Sequence, residues 1–169
     1  MNIGIISDTH SYLDERISHH LQDSDLILHA GDVGDVFVLD QLDALARTKG
    51  VYGNIDSTVI RVRLPEWELL DLEGVKILII HIAGAIGRYN EKCRALIKEH
   101  LPDVLICGHS HILKISRDDK FNLLHINPGA AGRHGFHKVR TLLKVKAENG
   151  SLKDLQVIEL GPRSAKSVD

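Results

Sequence analysis

Five short apolar runs in this 169-residue chain each stop at residues that turn the backbone or bind metal ions. Residues Ile3 to Ile6 lead into Asp8 and His10. Leu26 to His29 leads into Gly31 and Asp32, and Gly50 to Tyr52 into Gly53 and Asn54. Val75 to Ile80 stops at His81, and Val104 to Cys107 stops at Gly108, His109 and His111. Runs this short, separated by helical patterns, read as buried strands of a largely parallel sheet. The carboxyl ends of such strands open onto one crevice, where ligands bind. In extended backbone, residues i and i+2 point to the same side. Asp8 with His10, and His109 with His111, are therefore each expected to aim together, with Ser110 pointing away.

The rest of the chain fits βαβ-like units followed by hairpins. Leu13, Ile17 and Leu21 recur every four residues, as a helix face does. Val38, Leu39, Leu42 and Leu45 suit a second helix, and Tyr89, Cys93, Leu96 and Ile97 a third. Val59–Leu64 and Trp67–Leu72 read as strands, with a turn at Glu73-Gly74 into Val75–Ile80. Ile112–Ser116 with Phe121–Ile126 predicts one hairpin. Val139–Lys146 with Leu152–Leu160 predicts another, closed at Asn149-Gly150. One domain over residues 1–161 is expected, with a flexible tail at 162–169.

Composition narrows the function classes. Net charge is −2 with histidine neutral, so no broad basic surface recommends nucleic acid or an anionic membrane. No apolar run approaches the ~20 residues that span a bilayer. The start of the chain lacks a basic segment and long apolar stretch, so no signal peptide is read there. Two cysteines make no disulfide framework, and both are expected as reduced core residues of a cytoplasmic protein. Self-association is left open. Histidine is over-represented, at 11 residues. His19, His20 and His100 fall on expected exposed helix positions and are assigned no role.

Each polar residue has a bland explanation when taken alone. Asp8 can cap a helix, Asp32 can hold a turn, and Asn54 after glycine suits a left-handed turn. His81 can be a hydrogen-bonded core histidine, and 108–111 a polar loop. One metal cluster explains the whole set together. Oxygen and imidazole donors without thiolate suit manganese, iron, nickel or zinc. Two divalent ions set against two aspartates and a bridging hydroxide leave net positive charge that attracts an anion. A metal pair ~3.5–4 Å apart is a recurrent device for phosphoryl transfer. The glycines before Asp32, Asn54 and His109 are expected to allow tight turns and bring backbone close to substrate.

The blocks D-x-H, G-D, G-N, H and G-H-x-H occur in that order over residues 8–111, and N-P-G-A follows at 127–130. In these blocks the sequence resembles the calcineurin-like metallophosphoesterases, in particular their small single-domain branch. The resemblance implies an α/β fold, a four-layer αββα sandwich of two mixed β-sheets flanked by helices. It implies that Asp8, His10, Asp32 and His111 hold one divalent ion, manganese first among the candidates. Asp32, Asn54, His81 and His109 hold the second, with Asp32 bridging. Asp32, Asn54 and His109 are assigned the chemistry, and Asn54 and Arg133 contact with the phosphate. His134 and His137 lie in the same loop as Arg133.

One departure is informative. The family block G-N-H-[DE] reads Gly53-Asn54-Ile55-Asp56 here. Isoleucine can neither stabilise the transition state nor protonate a leaving group. The expected function is hydrolysis of small phosphodiesters by attack of a metal-bound hydroxide. The alternative is a binding scaffold on the same fold, as in a subunit of the eukaryotic retromer complex that resembles this family.

Overall fold

A computed structural model describes residues 1–164. Strands β1 (Asn2–Ile6), β2 (Leu26–His29) and β3 (Arg47–Gly50) run parallel. With the antiparallel pair β11 (Val139–Glu148) and β12 (Ser151–Pro162) they form one sheet, in the order β12-β11-β1-β2-β3. The second sheet repeats the plan. Its parallel centre is β5 (Val75–Ile80), β8 (Val104–Ile106) and β10 (Leu123–Pro128). The antiparallel strands β4 (Trp67–Leu72) and β9 (Leu113–Asp118) flank it.

Alternation along the strands builds three apolar layers. Ile3, Ile5 and Leu28 face Ile77, Ile79 and Ile106 across the gap between the sheets. Ile6 and Ile27 face the other way, onto Ile17 of α1 (Glu15–Leu21), Leu39 of α2 (Val36–Leu45) and Ile60 of α3 (Thr58–Arg63). On the far side Leu78 and Leu105 meet Cys93 and Ile97 of α4 (Glu91–His100). The molecule is therefore the four-layer αββα sandwich. Both cysteines are buried free thiols. No helix among the described residues is long and apolar enough to cross a membrane.

The turn expectations hold. Glu73-Gly74 and Asn149-Gly150 all take positive φ, as two-residue hairpin turns require. Three element expectations need correction. Residues 58–63 are helical and Leu64 caps them, because Ile60 and Leu64, four apart, are the buried pair while Val59 and Val62 face solvent. The third strand lies at 47–50, not 50–52. It is a polar edge strand paired on one side only, so it needs no apolar run. Tyr89 precedes its helix and belongs to a two-residue hairpin, β6 (Gly84–Ala85) with β7 (Arg88–Tyr89). The expected tail begins inside β12, at Pro162, and residues 165–169 lie outside those described.

Candidate metal centre

The carboxyl ends of β1, β2, β5 and β8, with the turn after β3, meet at one edge of the sandwich. Asp8, His10, Asp32 and His111 present ligand atoms within 4.8 Å of one another, as do Asp32, His81 and His109. His111 Nε2 is 3.2 Å from Asp8 Oδ1, and His10 Nε2 is 3.6 Å from Asp32 Oδ2. On the other side His81 Nε2 is 3.3 Å from Asp32 Oδ1. Asn54 Oδ1 closes that group, 3.2 Å from His81 Nε2 and 2.9 Å from His109 Nδ1. Asp32 thus turns one oxygen to each cluster.

The pairing expected from extended backbone is not how these residues converge. Asp8, His10, Asp32, His109 and His111 all have positive φ, between 46° and 68°. The chain curls back at each of these five residues, so strand alternation ends before them. Asp8 N–H donates to Gly31 O, His10 N–H to Asp32 O, and Gly108 N–H to His81 O. The turns are stitched to each other by backbone, which is why His109 and His111 fall into different clusters. Ser110 is correspondingly not turned away. It lines the mouth of the centre together with His109 and His111.

The glycines before Asp32, Asn54 and His109 are expected to allow tight turns, as the positive φ of Gly31 does, and two of them have a further purpose. A side chain at Gly53 would collide with the Asp32 carboxylate, and one at Gly108 with Asp8 and Ser7. They make room for the ligands of the neighbouring turn.

Buried polar groups behind the ligands fix them. Ser7 Oγ–H donates to Asp8 Oδ2 at 2.6 Å, and His109 N–H donates to the same carboxylate. Asp56 accepts from Val33 N–H, Gly34 N–H and Gly53 N–H, at 3.1, 2.8 and 2.7 Å. In the absence of a histidine at 55, this acid clamps the two turns that carry Asp32 and Asn54. His29 is fully buried, and burial pushes its pKa down to about 4, so it is neutral. Its Nδ1 accepts from Gly31 N–H, which leaves Nε2–H for Thr9 Oγ1. Sequence reading missed both roles, since each depends on which turns lie side by side.

The donor set fits divalent ions. His81 Nδ1–H donates to Ala30 O at 2.7 Å, which leaves the Nε2 lone pair facing Asp32 and Asn54. The Nε2 atoms of His10 and His111 face each other at 3.4 Å, an arrangement that a shared cation stabilises. Burial lowers the His10 pKa and keeps a lone pair available, against the raising influence of Asp32 and Asp8. The His111 pKa is raised, chiefly by its hydrogen bond to Asp8. For His81, burial works downward but the Asp32 hydrogen bond and acidic neighbours outweigh it. Asp32 is shifted down despite burial, through His81. Neighbouring ligand atoms sit roughly 3 Å apart around an ion with bonds of ~2.1 Å, and the contacts above are of that order.

The loop after Asn127 reaches the mouth. His134 lies with its ring 4.8 Å from that of His10, and His137 sits edge-on to His111 at 5.3 Å. Arg133 does not line the mouth. Its guanidinium lies 4.6 Å from the Tyr12 ring centre, and buried Arg140 packs on the same ring. Arg140 donates to Ala131 O and to Asp14 Oδ2, so it ties this loop to the start of α1.

A mixed-sheet sandwich with carboxylate, amide and imidazole donors gathered at its strand ends is the architecture of a metal-dependent phosphoesterase domain. The chain belongs to the calcineurin-like phosphoesterase superfamily, whose domain it matches over residues 1–150. It is 40% identical to a probable metallophosphoesterase of Methanocaldococcus jannaschii, over 77% of this chain and 68% of that protein. It is 31% identical to a phosphodiesterase of the same organism, over 76% and 83% of the two chains. Among solved structures it resembles an archaeal phosphodiesterase at TM-score 0.75 and 25% identity, covering 95% of this chain and all of the other. It also resembles the zinc complex of Vps29 from Entamoeba histolytica, at TM-score 0.71 and 21% identity, over 94% and 99% of the two chains.

Proposed function

We propose that this chain is a two-metal phosphodiesterase, with Asp8, His10, Asp32 and His111 holding one ion and Asp32, Asn54, His81 and His109 the other. The observation that carries this reading is the placement of Asp32, with Oδ2 toward one cluster and Oδ1 toward the second. Two divalent ions, manganese the first candidate and nickel, iron or zinc the others, would supply an activated water and offset phosphate charge. The protein's own part is positional. Ile55 N–H donates to Asp32 Oδ1 and holds the shared carboxylate in place. The Asn54 amide lies between His81 and His109, at the point where a phosphate oxygen would enter. His134 lines the mouth along with Ile55, and Arg133 packs on Tyr12.

The phosphodiesterases among its relatives support diesters as the substrate class. The likeness to Vps29 concerns the fold alone and gives the scaffold alternative no further weight. The reading also retains a cytoplasmic setting and a small phosphate ester as partner. Elemental analysis of manganese-reconstituted protein is expected to give two ions per chain, with hydrolysis of bis(4-nitrophenyl) phosphate. One ion or none would overturn the two-metal assignment. Two ions without turnover would favour the scaffold.

A further inference from the structure

Two cavities flank the metal centre, and they differ in chemistry. The centre's own mouth is small, about 250 Å³, which suits a phosphate group. A cleft of about 380 Å³ on one side carries Arg61, Lys92 and Glu66. On the other side a groove of about 640 Å³ runs between the β6–β7 hairpin and β9. His109 and Ser110 line both this groove and the mouth, so the two spaces are continuous. We infer that the groove receives one ester substituent of the substrate, and that this substituent is a flat, apolar-faced ring of the aryl or heteroaryl class. The inference rests on the phosphodiesterase reading and specifies its substrate.

The sides of the groove carry branched aliphatic chains, Ile82, Ile86 in the hairpin turn and Ile112 just before β9, with Lys114 and Ser116 of β9 as the polar members of these sides. Ile112 is 65% exposed and Ile82 40%, so neither is spent on the core. Water-facing isoleucines on two sides of a cavity of ligand size are covered favourably by a ring, at ~25 cal/mol per Å² of apolar surface. The floor is buried and uncharged. His125 there is held neutral by burial, which lowers its pKa. Asn127 has its amide fully engaged, donating to Gly108 O and Ser110 Oγ and accepting from Gly129 N–H. Such a floor favours a ring face, and Lys114 on the β9 side sets a cation beside the ring, where it can face the π-system or a polar ring edge.

Ser110 supplies the polar contact at the junction. Its oxygen already accepts from Asn127 Nδ2 at 3.1 Å and from Ile112 N–H at 3.3 Å. Its own hydrogen is therefore left to donate, at the point where groove and mouth meet. An ester oxygen between the phosphorus and the ring would lie there. The cleft beyond Ile82, with Arg61 and the Lys92–Glu66 ion pair, leaves the second, more polar substituent to that side, so the favoured diester is unsymmetrical.

The test compares 1-naphthyl 4-nitrophenyl phosphate with methyl 4-nitrophenyl phosphate on the manganese-loaded protein and on Ile112→Asn and Ala85→Trp. Both positions are exposed, so the fold is not at stake. The ratio of kcat/KM between the two esters cancels differences in metal loading. It is expected to favour the naphthyl ester at least about tenfold in wild type, and to collapse toward one in both variants, mainly through KM. A ratio that the variants leave unchanged, or no preference in wild type, overturns the inference. Calorimetric titration with 1-naphthyl phosphate and methyl phosphate gives a readout independent of turnover. If neither diester is hydrolysed, the phosphodiesterase reading fails. Tighter binding of the naphthyl monoester that both variants lose then still supports the groove, and equal binding of the two monoesters refutes it.

Discussion

The two sheets share a strand plan but bring different chemistry to their common edge. The first sheet and the turn after β3 supply both carboxylates and the amide, with His10 the one imidazole among them. The second sheet supplies only imidazoles, His81, His109 and His111. Their bracing differs in the same sense. Behind the first edge, Asp56 takes three backbone N–H groups and His29 ties two turns together. Behind the second, the Asn127 side chain braces the 108–110 turn, with the Asp8 carboxylate of the first edge accepting from His109 N–H. Close carboxylates repel until cations arrive, so their positions have to be imposed by the surrounding structure. Neutral imidazoles impose no such cost and need fewer supports.

The largest expected effect comes from the residue that belongs to both clusters. Asp32→Ala should lose both ions and at least ~10³-fold in activity, while His81→Ala should lose one ion and retain the other. Elemental analysis of the two variants checks this, and equal metal loss in both would erase the distinction between the edges. Next in size is the bracing. Asp56→Ala leaves three N–H groups, two of them buried, without an acceptor and should cost roughly 3 kcal/mol in urea unfolding. Asn127→Ala should cost about 1–2 kcal/mol by the same measurement. If the order is reversed, the second edge is the more tightly built.

A smaller, pH-dependent effect belongs to the loop that crosses to α1. Burial pushes the Asp14 pKa up, but its hydrogen bond to Arg140, the Ile17 N–H and the Arg140 charge outweigh this and leave it lowered. A depressed carboxylate contributes stability above its unfolded pKa and loses it as pH falls through the folded value. Asp14→Asn should therefore lower the urea midpoint at pH 7, and the difference from wild type should narrow below about pH 4. The smallest effect is expected at Ile55. With Asp56 engaged by backbone, no acid is free to orient a histidine placed there. Ile55→His should change turnover of alkyl diesters by less than about tenfold, against the 10²–10⁴-fold that a working general acid provides. A larger gain would mean that His134 or another group orients the new ring.

The strands were legible because their apolar runs are short and bounded. Leu26–His29, Trp67–Leu72 and Val75–Ile80 have the bounds that their sequence pattern suggests. The candidate ligand residues were legible as a set for a related reason, since all but Asn54 follow such a run. Arg47–Gly50 was hidden because an edge strand can be polar. The helix at 58–63 was hidden because Val59 and Val62 are β-branched yet exposed, so they imitate a strand without packing as one. The roles of Asp56, His29 and Ser110 depend on contacts between turns far apart in the chain, and no local pattern records those. Arg133 reads as a phosphate contact from its place in the loop, and its packing on Tyr12, distant in sequence, is a contact that no local pattern records.

The left-handed backbone at the ligands bears on any attempt to improve this protein's thermostability. For residues other than glycine that conformation costs roughly 1–2 kcal/mol, and Asp8, His10, Asp32, His109 and His111 all adopt it. Asp8 and Asp32 offset that cost by accepting buried hydrogen bonds, whereas His10, His109 and His111 accept none from the backbone of the described residues. A screen that rewards folding alone would drift toward glycine at these three histidines, so resistance to heat and the proposed capacity for metal are set against each other there.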